Sequence, residues 1–238
     1  RGRRLRSCRP GSPSAMSTRS SAQRSVAMRL WYAVLQRACQ AVGVLGYGVR
    51  HTGRENIPPD GGALVISNHQ SHFDPPLVGM GCMRRMNYLA RETLFDITPL
   101  RWLINSLDAI PINRDGLGLG GIKETLRRLK RGEMVLMFPE GTRTRTGQVG
   151  TFRPGFTALA VRSGAVILPV AIQGAFQVWP RWQSLPAVFR PIHVHYGRPM
   201  LPEEIRRYEE RALVGELERR VRQCHALLRE HSAFQRAR

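Results

Sequence analysis

Apolar positions in this chain fall into short runs bounded by turn residues, alternating with stretches of helical period. Ala63-Leu64-Val65-Ile66-Ser67 follows Gly61-Gly62. A short, partly β-branched apolar run after glycine reads as a buried strand. Met86–Ala90, Ala109–Ile112, Met134–Phe138, Val166–Ile172 and Ile192–Tyr196 repeat the pattern. Leu94–Leu107 has a helical character, with Pro99 at a start or a break. Ile122, Leu126 and Leu129 recur at helical spacing, Arg127, Arg128, Lys130 and Arg131 fall on the wet side, and Gly132 closes that helix. Phe156–Arg162 reads as a short helix ending at Gly164. Pro202 opens a C-terminal helix, 202–231, with Ile205, Tyr208, Leu213, Leu217, Val221, Cys224 and Leu228 on one face. Strands alternating with helices predict an α/β fold: one layered domain with a central, mostly β sheet flanked by helices. No repeat or splitting linker interrupts it.

The front of the chain is different. Residues 1–25 are polar and rich in Arg and Ser, the composition of a disordered basic tail. Residues 1–15 precede the first methionine, Met16, and carry no weight in the functional reading. Residues 26–49 are predominantly apolar, the candidate membrane segment of the chain. Arg29 and Arg37 interrupt the apolar stretch, leaving too short a run for the ~20 residues that a span needs. The pattern predicts an N-terminal amphipathic helix, with Leu30, Val34, Arg37 and Ala38 close together and Trp31 and Tyr32 beside them. Such a helix lies on a membrane surface or packs on the protein's own core. Residues 1–60 carry 11 basic and 2 acidic side chains, which favours an anionic membrane surface.

Charge changes the picture further. The 238 residues carry 37 basic and 17 acidic side chains, a net charge of +20. Only Lys123 and Lys130 are lysines. Such a balance calls for an anionic partner: nucleic acid, a phosphorylated substrate or anionic lipid. A nucleic-acid-binding module would want aromatic residues interleaved with the basic ones, and the chain lacks that arrangement, so no nucleic acid is expected. Cys8, Cys39, Cys82 and Cys224 form no CxxC pair, so neither a zinc ribbon nor a redox motif is expected. A reduced, cytosol-facing protein is the simpler reading.

The chemistry-bearing residues stand where strands run out. Asn68-His69-Gln70-Ser71-His72-Phe73-Asp74 follows the strand 63–67. Ligands collect at such strand ends in α/β folds. His69 and Asp74 are five residues apart, about 500° of helix, and cannot share a helical face. They can meet if His69 sits in the loop and Asp74 begins the next helix, a start that Pro75 favours. A carboxylate on one imidazole nitrogen leaves the other free as a base. On these residues alone, Asp74 could equally be a cap and His69 a satisfied buried histidine.

Phe138-Pro139-Glu140-Gly141-Thr142-Arg143 follows another strand. Gly141 permits close backbone approach, Thr142 offers a hydroxyl, and Arg143 offers a fork suited to phosphate. Glu140 fits an anion poorly and better suits pairing an arginine or holding the loop. Ile110–Arg114 delivers Arg114 at a strand end, and Arg153 precedes a helix start. Together these arginines outline a phosphate cradle. Ser71 and Cys82 are conceivable nucleophiles, but spacing places no base beside either.

The order and spacing of these blocks, over roughly residues 50–200, resemble the lysophosphatidic acid acyltransferases (1-acylglycerol-3-phosphate O-acyltransferases) of the glycerolipid acyltransferase superfamily. His69 and Asp74 match the family's His-x4-Asp block. Ile110–Arg114 resembles its second block, Phe138–Arg143 its Phe-Pro-Glu-Gly-Thr-Arg block, and Ile167–Val170 its fourth. Thr144 stands where serine is usual, and Asn113 where a bulkier residue is usual. The resemblance implies an acyltransferase domain over 50–238 with a glycerol-3-phosphate acyltransferase-like fold. It implies acyl transfer from acyl-CoA or acyl-carrier protein, as co-substrate without a cofactor or metal, to a lysophospholipid hydroxyl. His69 and Asp74 would be catalytic. Arg114, Glu140, Gly141, Thr142, Arg143 and Arg153 would bind the substrate phosphate. The protein would be membrane-associated at the cytoplasmic face, peripherally through 26–49. Other acceptors remain open: a different lysophospholipid, an ornithine-lipid precursor or glycerol-3-phosphate.

Overall fold

The computed structural model describes residues 26–91, 109–112, 118–187 and 190–236. The expected helix at 94–107 and Arg114 with its neighbour Asn113 lie outside the described residues, as does the tail 1–25. In chain order the elements are α1 (Val26–Tyr47), β1 (Arg50–Thr52), a 3-10 turn (Arg54–Asn56), β2 (Ala63–Ser67), α2 (Asp74–Met80), β3 (Met86–Arg91) and β4 (Ile110–Ile112). There follow α3 (Gly118–Lys130), β5 (Met134–Met137), α4 (Thr157–Ser163), β6 (Val166–Gln173), α5 (Ala175–Val178), β7 (His193–Tyr196), α6 (Pro202–Ile205) and α7 (Glu210–Arg236).

Seven strands form one sheet in the order β1-β7-β6-β2-β5-β3-β4. All of its pairs are parallel except β6 with β7. The expected α/β sandwich is therefore present. Both faces of the sheet are covered, which explains why its strands read as continuous apolar runs. Along β2, Ala63 and Val65 enter one core layer with Leu77, Met80 and Val194, while Leu64 and Ile66 enter the other with Leu159, Leu213 and Leu217. β2 lies between β6 and β5, parallel to both, with Ile66 opposite Met137 and Pro169. The C-terminal ends of these three strands therefore emerge on one edge, and the site is built there.

Helix α1 has an inverted pattern. Tyr32, Gln36, Cys39, Gln40, Gly43 and Tyr47 recur at steps of one to four and are wholly or partly covered. The Gln36 amide donates to the carbonyls of Gly79 and Cys82, and the Gln40 amide to Met80. Leu30, Val34, Val42 and Leu45 are 62%, 60%, 62% and 81% exposed. The face toward the protein is thus partly polar and the outer face apolar. Tyr32, expected beside Trp31 on the outer face, instead turns inward and its hydroxyl accepts the Met86 amide. A hundred degrees per residue separates neighbours on a helix, so the two rings point in different directions, Tyr32 into the protein and Trp31 partly to solvent. Among the described residues, no helix is long and apolar enough to cross a membrane.

The C-terminal helix is not continuous from Pro202, as the spacing predicted. It breaks into α6 and α7 between Arg206 and Glu209, and Tyr208, expected on the buried face, is 36% exposed. Arg220 of α7 pairs with Glu204 of α6. In one straight helix those residues would stand about 24 Å apart, so the chain must fold back for them to meet. The reversal lets Ile205 enter the same core layer as Leu213 and Leu217.

Under the sheet, the almost fully buried Arg128 donates to Glu124 at 2.8 Å and to the Asn87 side-chain oxygen at 2.7 Å. The Asn87 amide donates in turn to Glu133 and to the Met134 carbonyl. This network fixes α3 against β3 and β5. Removing one member of a buried charged pair costs several kcal/mol because its partners lose both bond and hydration. Arg128→Ala is expected to lower the unfolding free energy by about 3 kcal/mol, read from urea denaturation.

Candidate active site

β2 ends at Ser67, and the loop that follows is tied down residue by residue. The Asn68 side chain donates to the Ile172 carbonyl at 2.9 Å and accepts the Ile172 amide at 2.8 Å, locking the loop to β6. Gln70 donates to the Gly147 carbonyl and accepts the Phe176 amide, so it spans two further loops. Its Nε2 also lies 3.4 Å from Nε2 of His225 on α7. Burial and the nearby Arg229 and Arg222 lower the His225 pKa to about 4.

Asp74 is the first residue of α2, with proline in the first turn as anticipated. Its Oδ2 accepts three donors: the His69 ring at Nδ1 (2.7 Å), the Gln70 amide (2.5 Å) and the Ser71 amide (2.8 Å). Asp74 is fully buried, whereas the His69 side chain keeps 20% exposure. A neutral imidazole facing this carboxylate carries its proton on Nδ1 and leaves the lone pair on Nε2. Nε2 has no hydrogen-bond partner among the described residues. The ring stacks on Phe138 at 4.1 Å with planes 14° apart, which fixes its tilt.

The loop after β5 is bound to the same histidine. The His69 amide donates to Glu140 at 3.0 Å, and the His69 carbonyl accepts the Thr144 amide at 2.7 Å. Glu140 was expected among the phosphate-binding residues. It borders the cleft, but it is 6% exposed and holds the backbone amides of His69 and Gly150. Its role in this geometry is to clamp two loops. Burial raises its pKa to about 7, against the pull of those two amides.

Glu140 and Thr144, which hold the His69 backbone, also line a cleft of about 750 Å³, bordered further by Thr142, Arg143, Arg145, Arg153 and Arg181. Gly141 has φ +70°, a left-handed conformation that suits glycine. A side chain there would meet the Arg153 guanidinium at 3.0–3.2 Å, so glycine also makes room for that arginine. Of the residues the sequence singled out, Thr142, Arg143 and Arg153 border this cleft together with Glu140, and Gly141 packs against Arg153. Arg145 and Arg181 were missed. Arg145, two residues past Arg143 on the same loop, carried a signal. Arg181 arrives from beyond α5 and carried none. Asn68 and Gln70 were within the first block, but nothing in the block says which carbonyls and amides they take.

Cys82 is nearly fully buried, bonds to the Tyr196 hydroxyl, and its pKa is pushed up to about 11 by burial. That thiol is no nucleophile. The Ser71 hydroxyl is buried and accepts the Phe73 amide.

Raising a carboxyl pKa on folding means that the folded chain holds a proton the unfolded chain has released. Stability from Glu140 is therefore greatest below its unfolded pKa of about 4.5, and falls as pH rises to about 7. Glu140→Gln is expected to remove that decline. It also sets an amide NH2 against a backbone donor, so the variant should melt lower at every pH. Thermal melts from pH 5 to pH 8 read both effects.

A family model described as Acyltransferase matches residues 48–173. The chain is 29% identical over 138 residues to the chloroplastic 1-acyl-sn-glycerol-3-phosphate acyltransferase of Arabidopsis thaliana, covering 56% of this chain and 38% of that protein. It is 33% identical over 159 residues to the 1-acyl-sn-glycerol-3-phosphate acyltransferase of Pseudomonas aeruginosa, covering 64% and 60%. It thus spans less than two thirds of either relative. The crystal structure of the 1-acyl-sn-glycerophosphate acyltransferase PlsC from Thermotoga maritima superposes with a TM-score of 0.73 at 26% identity, over 85% of this chain and 81% of that one. With six of the seven strands and both loops that hold His69 inside a match covering more than half of its length, the chain belongs to the acyltransferase family.

Proposed function

We propose that the protein transfers an acyl group from acyl-CoA or acyl-carrier protein to the free hydroxyl of 1-acyl-glycerol-3-phosphate, giving phosphatidic acid. The observation that carries this reading is the His69–Asp74 pair, with Nε2 unengaged and the His69 backbone held by Glu140 and Thr144, both of which line the arginine cleft. Nε2 takes the hydroxyl proton as the oxygen attacks the thioester carbonyl. The tetrahedral intermediate collapses, the C–S bond breaks, and the imidazolium returns the proton to the departing thiolate. Asp74 holds the tautomer and balances the imidazolium charge. Arg143 and Arg153, with Thr142 and the Gly141 backbone, hold the phosphate, and the resemblance adds Arg114. Holding both reactants in place supplies several kcal/mol, up to ~7–11 in ideal cases. A thioester is reactive enough that transfer is direct, with the donor as co-substrate and no resident cofactor.

An apolar groove of about 190 Å³ between α1 and α2, lined by Tyr32, Leu35, Pro75, Pro76, Met80 and Tyr88, starts beside Asp74. It supports a place for an acyl chain. The outer face of α1 supports peripheral association with an anionic membrane at the cytoplasmic face. Apolar side chains there sit in the headgroup boundary, where the lysolipid resides.

In an acyltransfer assay with lysophosphatidate, His69→Ala is expected to lower kcat by ~10²–10⁴, and Asp74→Asn comparably, with both variants still folded. Activity retained in His69→Ala would remove this mechanism. A panel of lysophospholipids and glycerol-3-phosphate identifies the acceptor. Leu30→Ser with Val34→Ser and Leu45→Ser should sharply reduce flotation with anionic vesicles while the fold, by circular dichroism, is kept.

A further inference from the structure

The segment after α5 is a short, stiff loop whose largest apolar side chains stand in solvent. Trp182 is 64% exposed and Leu185 is 75% exposed, two residues of a nine-residue loop, 179–187. The loop does not owe this exposure to slackness. The Ala187 amide donates to the Val178 carbonyl at 2.8 Å and closes its ends. The Gln183 amide donates to the Pro180 carbonyl, and the Trp179 indole donates to the Gln183 carbonyl at 2.8 Å. Pro180 and Pro186 restrict the backbone further. The Trp182 ring stands edge-on against Phe176 at 5.5 Å, which props it outward. Apart from the Phe176 contact, the bracing of the loop does not depend on the side chains at 182 and 185.

Its location gives the exposure meaning. Arg181, next to Trp182, borders the arginine cleft. Trp179 at the base of the loop lies 4.9 Å from the His72 ring and 4.9 Å from Phe73, within the catalytic loop. Phe73 in turn meets Tyr47, at the end of α1, at 5.6 Å. Just before Tyr47, Val44 and Leu45 are 58% and 81% exposed. A chain of rings therefore runs from the exposed apolar end of α1, past the histidine loop, to the base of loop 179–187.

We propose that loop 179–187 is a second membrane contact, inserting Trp182 and Leu185 into an anionic bilayer at the rim of the cleft. This rests on the reading of the protein as an enzyme of a lysophospholipid. Tryptophan and leucine suit the headgroup boundary, and the neighbouring Arg181 and the chain's charge of +20 complement anionic lipid. Two contacts, at α1 and at this loop, set the orientation of the cleft toward the lipid as one helix cannot.

The test uses the full chain with Trp182→Ser/Leu185→Ser, and Trp182→Phe/Leu185→Met as the conservative pair. Partition is read by flotation with phosphatidylcholine vesicles, with and without phosphatidic acid. Activity is read on long-chain lysophosphatidate in vesicles and on a short-chain, monomeric lysophosphatidate. The serine pair should lower partition into the anionic vesicles about tenfold. It should lower kcat/KM on vesicles, leave the short-chain rate within about twofold, and be rescued by the conservative pair. Unchanged flotation overturns the proposal, as does an equal loss on both substrates, which would place the loop in the reaction pocket. Loss only with a carrier-protein donor, with flotation unchanged, marks a protein-docking surface and also overturns it. If the wild type transfers no acyl group to any acceptor but floats through these two residues, the enzymatic reading fails and the lipid contact stands.

Discussion

One carboxylate oxygen organises the site. Oδ2 of Asp74 receives an imidazole N–H and two successive backbone amides from the chain just before it. The backbone of residues 70 and 71 is thereby wrapped around the same atom that orients the histidine. An ionised oxygen with three donors is held far more firmly than one with a single partner, since charge-assisted bonds are about twice as strong as neutral ones. Fully buried as it is, the carboxylate would be expensive to keep without them. The ring that it orients cannot move unless that loop moves.

The second constraint is the parallel sheet. β2 and β5 are neighbours pointing the same way, so the loops leaving them must meet, although His69 and Glu140 lie 71 positions apart. The two loops are then sewn together through the backbone of His69 itself, its amide on Glu140 and its carbonyl on Thr144. Arg143 and Arg145 extend from that second loop to border the cleft. His69 and the arginine cleft thus share one support, the condition under which the proposed positioning of two reactants would contribute to rate.

A further consequence concerns α1 and the loop at 179–187. Both display large apolar groups outward, and α1 in addition directs its glutamines inward, the reverse of an ordinary soluble surface. In α1 the inward glutamines exist because the carbonyls ending α2 require donors. The outer face is left free to suit a different solvent.

The sequence by itself determined the strands of the sheet interior, allowed the His69–Asp74 pairing that the family resemblance implied, and singled out two of the four arginines of the cleft. These rest on local rules: a strand covered on both faces must be apolar, and a histidine can reach a carboxylate five residues on only across a loop into a helix. β1, with its polar Arg-His-Thr, carried no such pattern and forms because β7 offers it an edge. Tertiary structure alone decided which loops Glu140 ties together, that Tyr32 faces inward, that the last helix breaks so that Glu204 can reach Arg220, and that Arg181 joins the cleft. Each depends on which backbone groups and charges arrive from distant segments. A hydrogen bond across 71 residues, or a fold-back between helices, leaves no periodicity in the residues that make it.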